Sequence, residues 1–470
     1  MSNNYYMPVD QCDGDDVSCE RREYLDHQHQ WQLCRDIYYG IDSAKRHIVK
    51  NANEYKEDFN NRLRRSTLNN FVERIVNTMG GEIFRKTLTF EDTTPKLEDE
   101  IKLIPATGDS LSMFGKTLTE TALVDGAAYI MVDAPVDGGN PYFTIISRSQ
   151  LKNWRKDEAG NFTMAVIHEF IEIPQGAFGS KLIDQYRVLK EDGNVTIYRK
   201  SGENGANVWF IYEEITTTYN SIPLFELKIE DVPPLYDIAT VNVKHMNFLS
   251  MQDDYLAEAL SPMLFGVALG LEGDGQVYGD GPKPDVPKMV VGVRSMTVTD
   301  NPEARMEWVE MSGKTYDISS THLEKMEDDM SQRALKLQNE SVKNVTATAT
   351  MENATEKNSR LTDIATDCEK ALNDAVNAYM MMKYHKEFTG YIEVNKDFNQ
   401  TVLDSGGIAQ LNALQVSGNI SKETLLNALQ KAEVIDIDNI DDEIAKIEEE
   451  FMPIEEVAPD DTRGQNTKKN

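Results

Sequence analysis

The sequence has 470 residues, 40% of them hydrophobic and 27% charged, and its 48 Lys and Arg against 79 Asp and Glu give a formal net charge of -31 at pH 7. At roughly 100–200 residues per domain this predicts two to four structural units, and a chain of this length can bury a large core without disulfide or metal staples. The charge argues against a protein that grips nucleic acid from free solution and against one that binds an anionic membrane surface, but it does not exclude one that lets DNA pass without holding it, because acidic groups repel phosphate.

Met1 to Val17 is polar and acidic, with no basic segment leading into an apolar core, so no signal peptide is expected. The longest uncharged apolar run, from about Ala259 to Leu271, falls short of the ~20 residues a membrane span needs. The cysteines are Cys12, Cys19, Cys34 and Cys368. They could form two disulfides, but they make no CxxC pair and no secreted framework, and the expected compartment is a reducing cytosol.

Residues 1–22 read as a disordered arm, and Glu23 to Tyr55 as mixed helix. Leu68, Phe71, Val72, Ile75, Val76 and Met79 recur at three- and four-residue steps and predict a helix ended by Gly80-Gly81. Ser110 suits an N-cap for a helix carrying Leu111, Phe114, Leu118 and Leu123. Residues 127–230 then turn rich in β-branched and aromatic types. Ala128–Asp133, Tyr142–Ile146, Thr163–Ile173, Tyr186–Leu189, Val195–Arg199 and Val208–Tyr212 read as strands, separated by turns such as Asp192-Gly193-Asn194 and Ser201-Gly202. Pro233-Pro234 closes this region.

A helix from about Ile238 to Leu260 follows, broken near Pro262. Residues 266–315 are Gly- and Pro-rich, with short strands at Met289–Val293 and Met306–Glu310. Thr321 and Glu324 have capping-box spacing and predict the start of a helix with Leu323, Met326, Met330 and Leu337 on one face. The alternating Thr and Ala of Asn344 to Thr355 make a poor helix interior and read as a loop. A strong helix then carries Leu361, Ile364, Ala365, Cys368, Leu372, Ala375, Val376 and Tyr379, with Cys368 expected as a buried thiol. A short strand at Tyr391 to Asn395, amphipathic helices and an acidic end with Glu448-Glu449-Glu450 complete the chain.

Motifs with chemical potential each fail a physical requirement. Phe114-Gly115-Lys116-Thr117 resembles the end of a phosphate-binding loop, but Ser110 stands where the first glycine is needed and the segment is helical. Gly273, Gly275, Gly279 and Gly281 lack the spacing and the following helix of a dinucleotide site. Asp436, Asp438 and Asp441 suggest a calcium loop, but Asp441 replaces its glycine and Ile447 its final Glu. His27 and His29 have no third ligand spaced to join them, and His168-Glu169 lacks the second histidine of HExxH. No catalytic, cofactor or metal residue is assigned.

Four phrases in order resemble the bacteriophage portal family, in particular a group long labelled only as a domain of unknown function. They are Ser149-Gln150-Leu151-Lys152-Asn153-Trp154-Arg155; Pro234-Leu235-Tyr236-Asp237-Ile238-Ala239 leading to Asp253-Asp254-Tyr255 and Pro262; Ser359-Arg360-Leu361-Thr362-Asp363-Ile364-Ala365 after the Thr/Ala run; and Asn395-Lys396-Asp397-Phe398 followed by Ser417-Gly418-Asn419-Ile420-Ser421-Lys422-Glu423-Thr424. The resemblance runs from about residue 30 to 450, and its weight lies in order and breadth.

The resemblance implies an α+β portal fold. Its parts would be an N-terminal arm at 1–22, a wing at 23–235, a first stem helix at 236–265, a clip at 266–317 and a second stem helix at 318–343. A tunnel loop would follow at 344–355, then a long kinked helix and returning wing strand at 356–400, a helical crown at 401–452 and a disordered tail at 453–470. It implies a non-enzymatic subunit of a ring, of 12 copies by family resemblance, at one capsid vertex of a virion and assembled in the host bacterial cytoplasm. Expected partners are other copies of the chain, the large terminase subunit, a head–tail adaptor or tail proteins, the major capsid protein and double-stranded DNA in transit, without a membrane or cofactor. Candidate channel residues are Lys343, Asn344, Thr346, Thr348 and Thr350 of the loop, with Glu324 and Asp328, which helical spacing sets on one face away from Leu323, Met326 and Met330. That face also reads as an ordinary solvated surface. The rival readings are another oligomeric virion or scaffold protein without a DNA channel, and an acidic hydrolase built from dispersed carboxylates.

Overall fold

The computed structural model describes residues 14–135, 138–200, 208–217, 219, 221–260, 263–267, 303, 305–309, 313–338, 347–396, 398, 405–431, 435 and 440–450. The chain is α+β and divides into two compact units, 1–397 and 398–470.

The first unit opens with helices α1 (Arg22–Tyr38), α2 (Ile41–Ala44, continued by a 3-10 turn at Lys45–His47), α3 (Lys56–Arg65) and α4 (Phe71–Ile83). Strand β1 (Thr89–Glu91) and helices α5 (Pro95–Ile101) and α6 (Leu111–Asp125) follow. Next come β2 (Ala127–Asp133), β3 (Tyr142–Ser147), β4 (Leu151–Lys156), β5 (Phe162–Gln175), β6 (Gly179–Lys190), β7 (Asn194–Lys200), β8 (Trp209–Thr216) and β9 (Leu224–Lys228). The unit ends with α7 (Tyr236–Ala259), β10 (Met263–Val267), β11 (Arg305–Val309), α8 (Gly313–Gln338), α9 (Ala347–Tyr384) and β12 (Tyr391–Glu393).

Among the described residues, β3-β2-β9 form one antiparallel sheet and β4-β5-β6-β7-β8 another, while β1 pairs with β12 and β10 with β11. One part of the core sits between the two larger sheets. Tyr129 and Met131 of β2 join Trp154, Phe162, Ala165, Ile167 and Leu189 of the five-stranded sheet, with Tyr24 and Trp31 of α1. Alternate residues Ala128, Ile130 and Val132 point to the other face of β2 and are buried there, on the side where α6 and α9 pack. At about 1.5–3 kcal/mol for each large apolar side chain taken from water, both layers contribute to the unit's stability.

Local chemistry explains the boundaries. Ser110 caps α6, its hydroxyl accepting from the Met113 N–H at 3.3 Å, and Leu111, Phe114, Leu118 and Leu123 are buried as the periodicity predicts. Asn70 caps α4 by accepting from the Glu73 N–H at 3.0 Å. The expected stop at Gly80-Gly81 is not where α4 ends, since the helix runs to Ile83. A Cβ on Gly80 would stand 3.0 Å from Glu120 Cγ, so this glycine serves a close approach to α6 and breaks nothing.

The arm expected to be disordered through residue 22 is tied down where it is described. The Arg21 N–H donates to the Lys152 carbonyl at 2.9 Å, Asn153 Nδ2 donates to the Cys19 carbonyl at 3.0 Å, and Val17 packs on Val166, Tyr186 and Val188. Cys19 is disulfide-bonded, whereas Cys34 and Cys368 are free and buried. The strand expected at Met289–Val293 and the turn at Ser201-Gly202 lie outside the described residues.

The second unit holds α10 (Ser405–Val416), α11 (Lys422–Lys431) and α12 (Ile440–Glu450). Ser421 caps α11, its hydroxyl accepting from the Thr424 N–H at 3.0 Å.

Candidate functional site

Helices α7 and α8 pack against each other, and two of the seven candidate channel residues, Glu324 and Asp328, lie on α8. Strands β10 and β11 follow the one and precede the other, and they pair antiparallel from Met263↔Val309 to Val267↔Arg305. The helices therefore run antiparallel, and three contacts fix their register. Gln252 Nε2 donates to Ser319 Oγ at 3.0 Å, Phe248 meets His322 edge to face at 5.1 Å, and His245 Nε2 lies 3.1 Å from Glu327 Oε1. Leu323, Met326 and Met330 bury the inner stripe of α8.

Helix α7 is held in turn by the N-terminal helices. Asn242, fully buried, accepts from the Phe71 N–H at 3.0 Å and donates to the Asn69 carbonyl at 2.8 Å. Asn247 accepts from the Val49 N–H at 2.9 Å and donates to the His47 carbonyl at 3.1 Å. Buried Arg62 donates to both oxygens of Glu54 at 2.8 Å, to Ser250 Oγ at 2.9 Å and to the Val49 carbonyl at 2.8 Å. That bidentate bond holds the Glu54 carboxyl below the usual range, against its desolvation. Arg65 pairs with Asp254 farther along α7.

His245 is the exception in this polar set. Its ring is buried and Glu327 is near, yet neither ring nitrogen finds a well-aligned hydrogen-bond partner among the described residues. Burial pushes its imidazole below the ordinary value, and Glu327 pulls only partly back. Asn242 and His245 fall on the apolar stripe of α7 with Ile238, Ala239 and Met246. Polar residues at core positions of a helix are the sequence signal for this knot, one that hydrophobic periodicity alone does not pick out.

Of the residues expected to line a channel, Glu324 and Asp328 are both exposed and one turn apart on α8. Lys343, Asn344 and Thr346 lie outside the described residues. Thr348 and Thr350 occupy helical positions at the start of α9, with their side chains outside the description. The loop expected over Asn344 to Thr355 is thus helix from Ala347 onward. Alanine is the strongest helix former, the threonine penalty is a few tenths of a kcal/mol, and a long buried helix downstream propagates into the run. The capping box also fails. α8 starts at Gly313, and Thr321 sits inside it with its hydroxyl donating back to the Asp317 carbonyl at 2.9 Å.

Helix α9 delivers the predicted stripe, with Leu361, Ile364, Ala365, Cys368, Leu372, Ala375, Val376 and Tyr379 all buried. Burial pushes the Cys368 thiol up to about 12, making it a packing group. Gly115 is one as well, since a Cβ there would lie 2.8 Å from the Phe84 ring. His168 Nε2 lies 2.6 Å from Asp184 Oδ1 and stacks on Tyr186 at 4.6 Å, on a sheet face. Desolvation would raise the Asp184 carboxyl, but hydrogen bonds from Lys200 and His168 outweigh it and lower it. Among the described residues no group of three or more His, Cys, Asp or Glu is placed to hold a metal, and no helix is long and apolar enough to cross a membrane. Asp436 and Asp438 lie outside the described residues.

Residues 234–384, from the start of α7 to the end of α9, match a family described as a Domain of unknown function (DUF4055). No curated protein matches the sequence. Among solved structures, the chain is similar to one from the neck of an empty GTA particle computed with C6 symmetry, with 13% identity and a TM-score of 0.39 over 77% of this chain and 90% of that one. It is similar to a chain of the virion of a native gene transfer agent particle, at 11% identity and a TM-score of 0.34 over 77% and 89%. A chain from the neck of a native GTA particle computed with C12 symmetry gives 10% and 0.32 over 76% and 89%. Scores at this level do not establish a common fold.

Proposed function

We propose that the chain is a phage portal subunit, which assembles into a ring at one vertex of a capsid and forms a channel for genome packaging and ejection. The observation that carries the reading is the coincidence of two boundaries. The match to the family of unknown function covers residues 234–384, the same stretch in which the antiparallel pair α7 and α8, joined through β10 and β11, leads into α9. That order is what the resemblance assigns to a stem helix, a clip, a second stem helix and a long helix.

In this reading α7 and α8 are the stems, and the knot around Asn242, Asn247 and Arg62 anchors them to the wing. The clip docks the large terminase subunit and later a head–tail adaptor, the wing meets the major capsid protein, and ATP hydrolysis belongs to the terminase. The chain itself is not an enzyme. A heterologous contact that closes gives a cyclic assembly. Native mass spectrometry and negative-stain imaging of the purified chain test this directly, with a closed ring of about twelve copies expected from the family resemblance. Monomers or dimers alone across salt and protein concentrations would overturn it.

A further inference from the structure

The five-stranded sheet has two unequal edges. The β4 edge is guarded by the chain's own arm through the Arg21–Lys152 backbone bond and the Asn153–Cys19 bond, with Lys152 Nζ 2.9 Å from Glu20. The β8 edge has no such cover among the described residues, and Val208, Phe210, Ile211 and Tyr212 are 61%, 44%, 52% and 51% exposed. An open apolar edge is a template for another strand, and natural sheets leave one where a partner fills it.

The same sheet carries a second incomplete feature. β5 pairs with β4 only along Phe162–Ile167, and β6 pairs with β7 only along Gln185–Leu189. Beyond those points Phe170–Gln175 and Gly179–Asp184 pair with each other alone, as an arm that leaves the sheet. Phe170, Leu182 and Phe178 on it are 62%, 63% and 104% exposed. A lone two-stranded hairpin with bare aromatic residues is marginal in water and gains from a surface to lie on.

Charge selects the occupant. Two chains that each carry -31 must meet through surfaces poor in acid. The arm from Phe170 to Asp184 carries only Glu172, Lys181 and Asp184, the last of them paired with His168 and Lys200, and Val208–Tyr212 carries no charge. Lys181 near the arm's tip and Glu213-Glu214 at the other end of β8 are complementary. Both halves of a contact therefore lie on one chain, at different places, which is the requirement for a heterologous ring interface. We infer that the β5–β6 arm of one copy lies along the open β8 edge of a second copy, head to tail. This rests on the ring reading and names the surface that closes it.

The test uses two full-length variants, Phe178→Cys and Ile211→Cys, mixed, assembled and oxidised with copper phenanthroline, with cross-linked peptides mapped by mass spectrometry. Cys34 and Cys368 are buried and do not compete. The expected product joins the two introduced thiols between copies. Hydrogen exchange on the unmodified chain supplies a second measurement, with the β8 amides slowed at least tenfold on assembly. Intact rings without the mixed cross-link and with unchanged β8 exchange would overturn the inference and leave the ring reading standing. Cross-links only between two Phe178→Cys copies, or β8 protection only when a different virion protein is added, would also overturn it. An unmodified chain that never assembles would end the ring reading and this one with it.

Discussion

Asn373 bonds to Ile392 as a neighbouring strand would, its Oδ1 accepting from the Ile392 N–H at 2.9 Å and its Nδ2 donating to the Ile392 carbonyl at 2.8 Å. Ile392 is fully buried at the centre of the short β1–β12 pair, so the α9 side chain completes a strand too small to stand alone. Asn373→Ala leaves both backbone groups unpaired. The expected loss is about 1–3 kcal/mol, read from the urea midpoint. Asn373→Asp keeps the acceptor but sets a carboxylate oxygen against the Ile392 and Glu369 carbonyls, and should cost at least as much as Asn373→Ala at neutral pH.

The neighbouring Glu369 gives a pH dependence. It is buried and accepts from Tyr391 Oη, from the Val394 N–H at 2.9 Å and from Lys396 Nζ at 2.8 Å. Desolvation raises its carboxyl, and these bonds outweigh it and hold it below the ordinary value. Glu100 is likewise lowered, its desolvation overcome by hydrogen bonds from Lys383, Tyr384 and Tyr379. A carboxyl depressed by folding adds stability that is complete above its unfolded value, about 4.3, and is lost as pH falls through the folded one. Burial holds His245 below its ordinary value, so the unfolding midpoint should begin to fall as pH drops through about 6.5, and the two carboxyls should steepen that fall below about 4.3. Glu369→Gln should cost about 2–3 kcal/mol at neutral pH, with the gap to the unmodified chain closing toward pH 3. A gap independent of pH would place the loss in packing.

Gly115 tests packing directly. Gly115→Ala would gain about 1 kcal/mol of helix propensity, but its Cβ would stand 2.8 Å from two atoms of the Phe84 ring. Overpacking of this kind costs about 1–3 kcal/mol, so net destabilisation is expected, and Phe84→Leu in the same chain should relieve it. Additive effects in the double-mutant cycle would show that the two residues do not press on each other.

Elements driven by a local rule were legible in the sequence. Ser110 caps because its hydroxyl reaches an orphan N–H three residues on, and the α9 stripe repeats at helical spacing over five turns. Where a rule was met locally but overruled by packing, the reading failed. Thr321 and Glu324 have capping-box spacing, yet α8 had already begun eight residues earlier, and buried Leu323 and Met326 hold it as helix. Gly80 looks like a stop until Glu120 is seen lying against it. The site was less legible than the fold because its anchors are long-range. Asn242 meets Phe71 across 171 positions, and Arg62 meets Ser250 across 188, separations that no periodicity encodes.

The last prediction concerns the outer face of α8. Glu324 and Asp328 are exposed one turn apart, while Leu323, Met326 and Met330 are buried, so both carboxylates point to solvent. If that solvent fills the channel, the carboxylates repel phosphate and keep passing DNA from sticking. The assembled chain should then bind free duplex weakly at physiological salt, because few phosphates can be neutralised. Glu324→Lys with Asp328→Lys reverses the charge at both positions in every copy, and neither side chain carries packing. The double variant should assemble normally, bind duplex at least tenfold more tightly with a steeper salt dependence, and package more slowly. Filter binding across a salt series, paired with a packaging assay, reads both halves. Tight, steeply salt-dependent binding by the unmodified assembly would contradict a low-friction wall. An unchanged packaging rate in the double variant would put this face of α8 on the outside of the stem, where the same carboxylates serve only solubility.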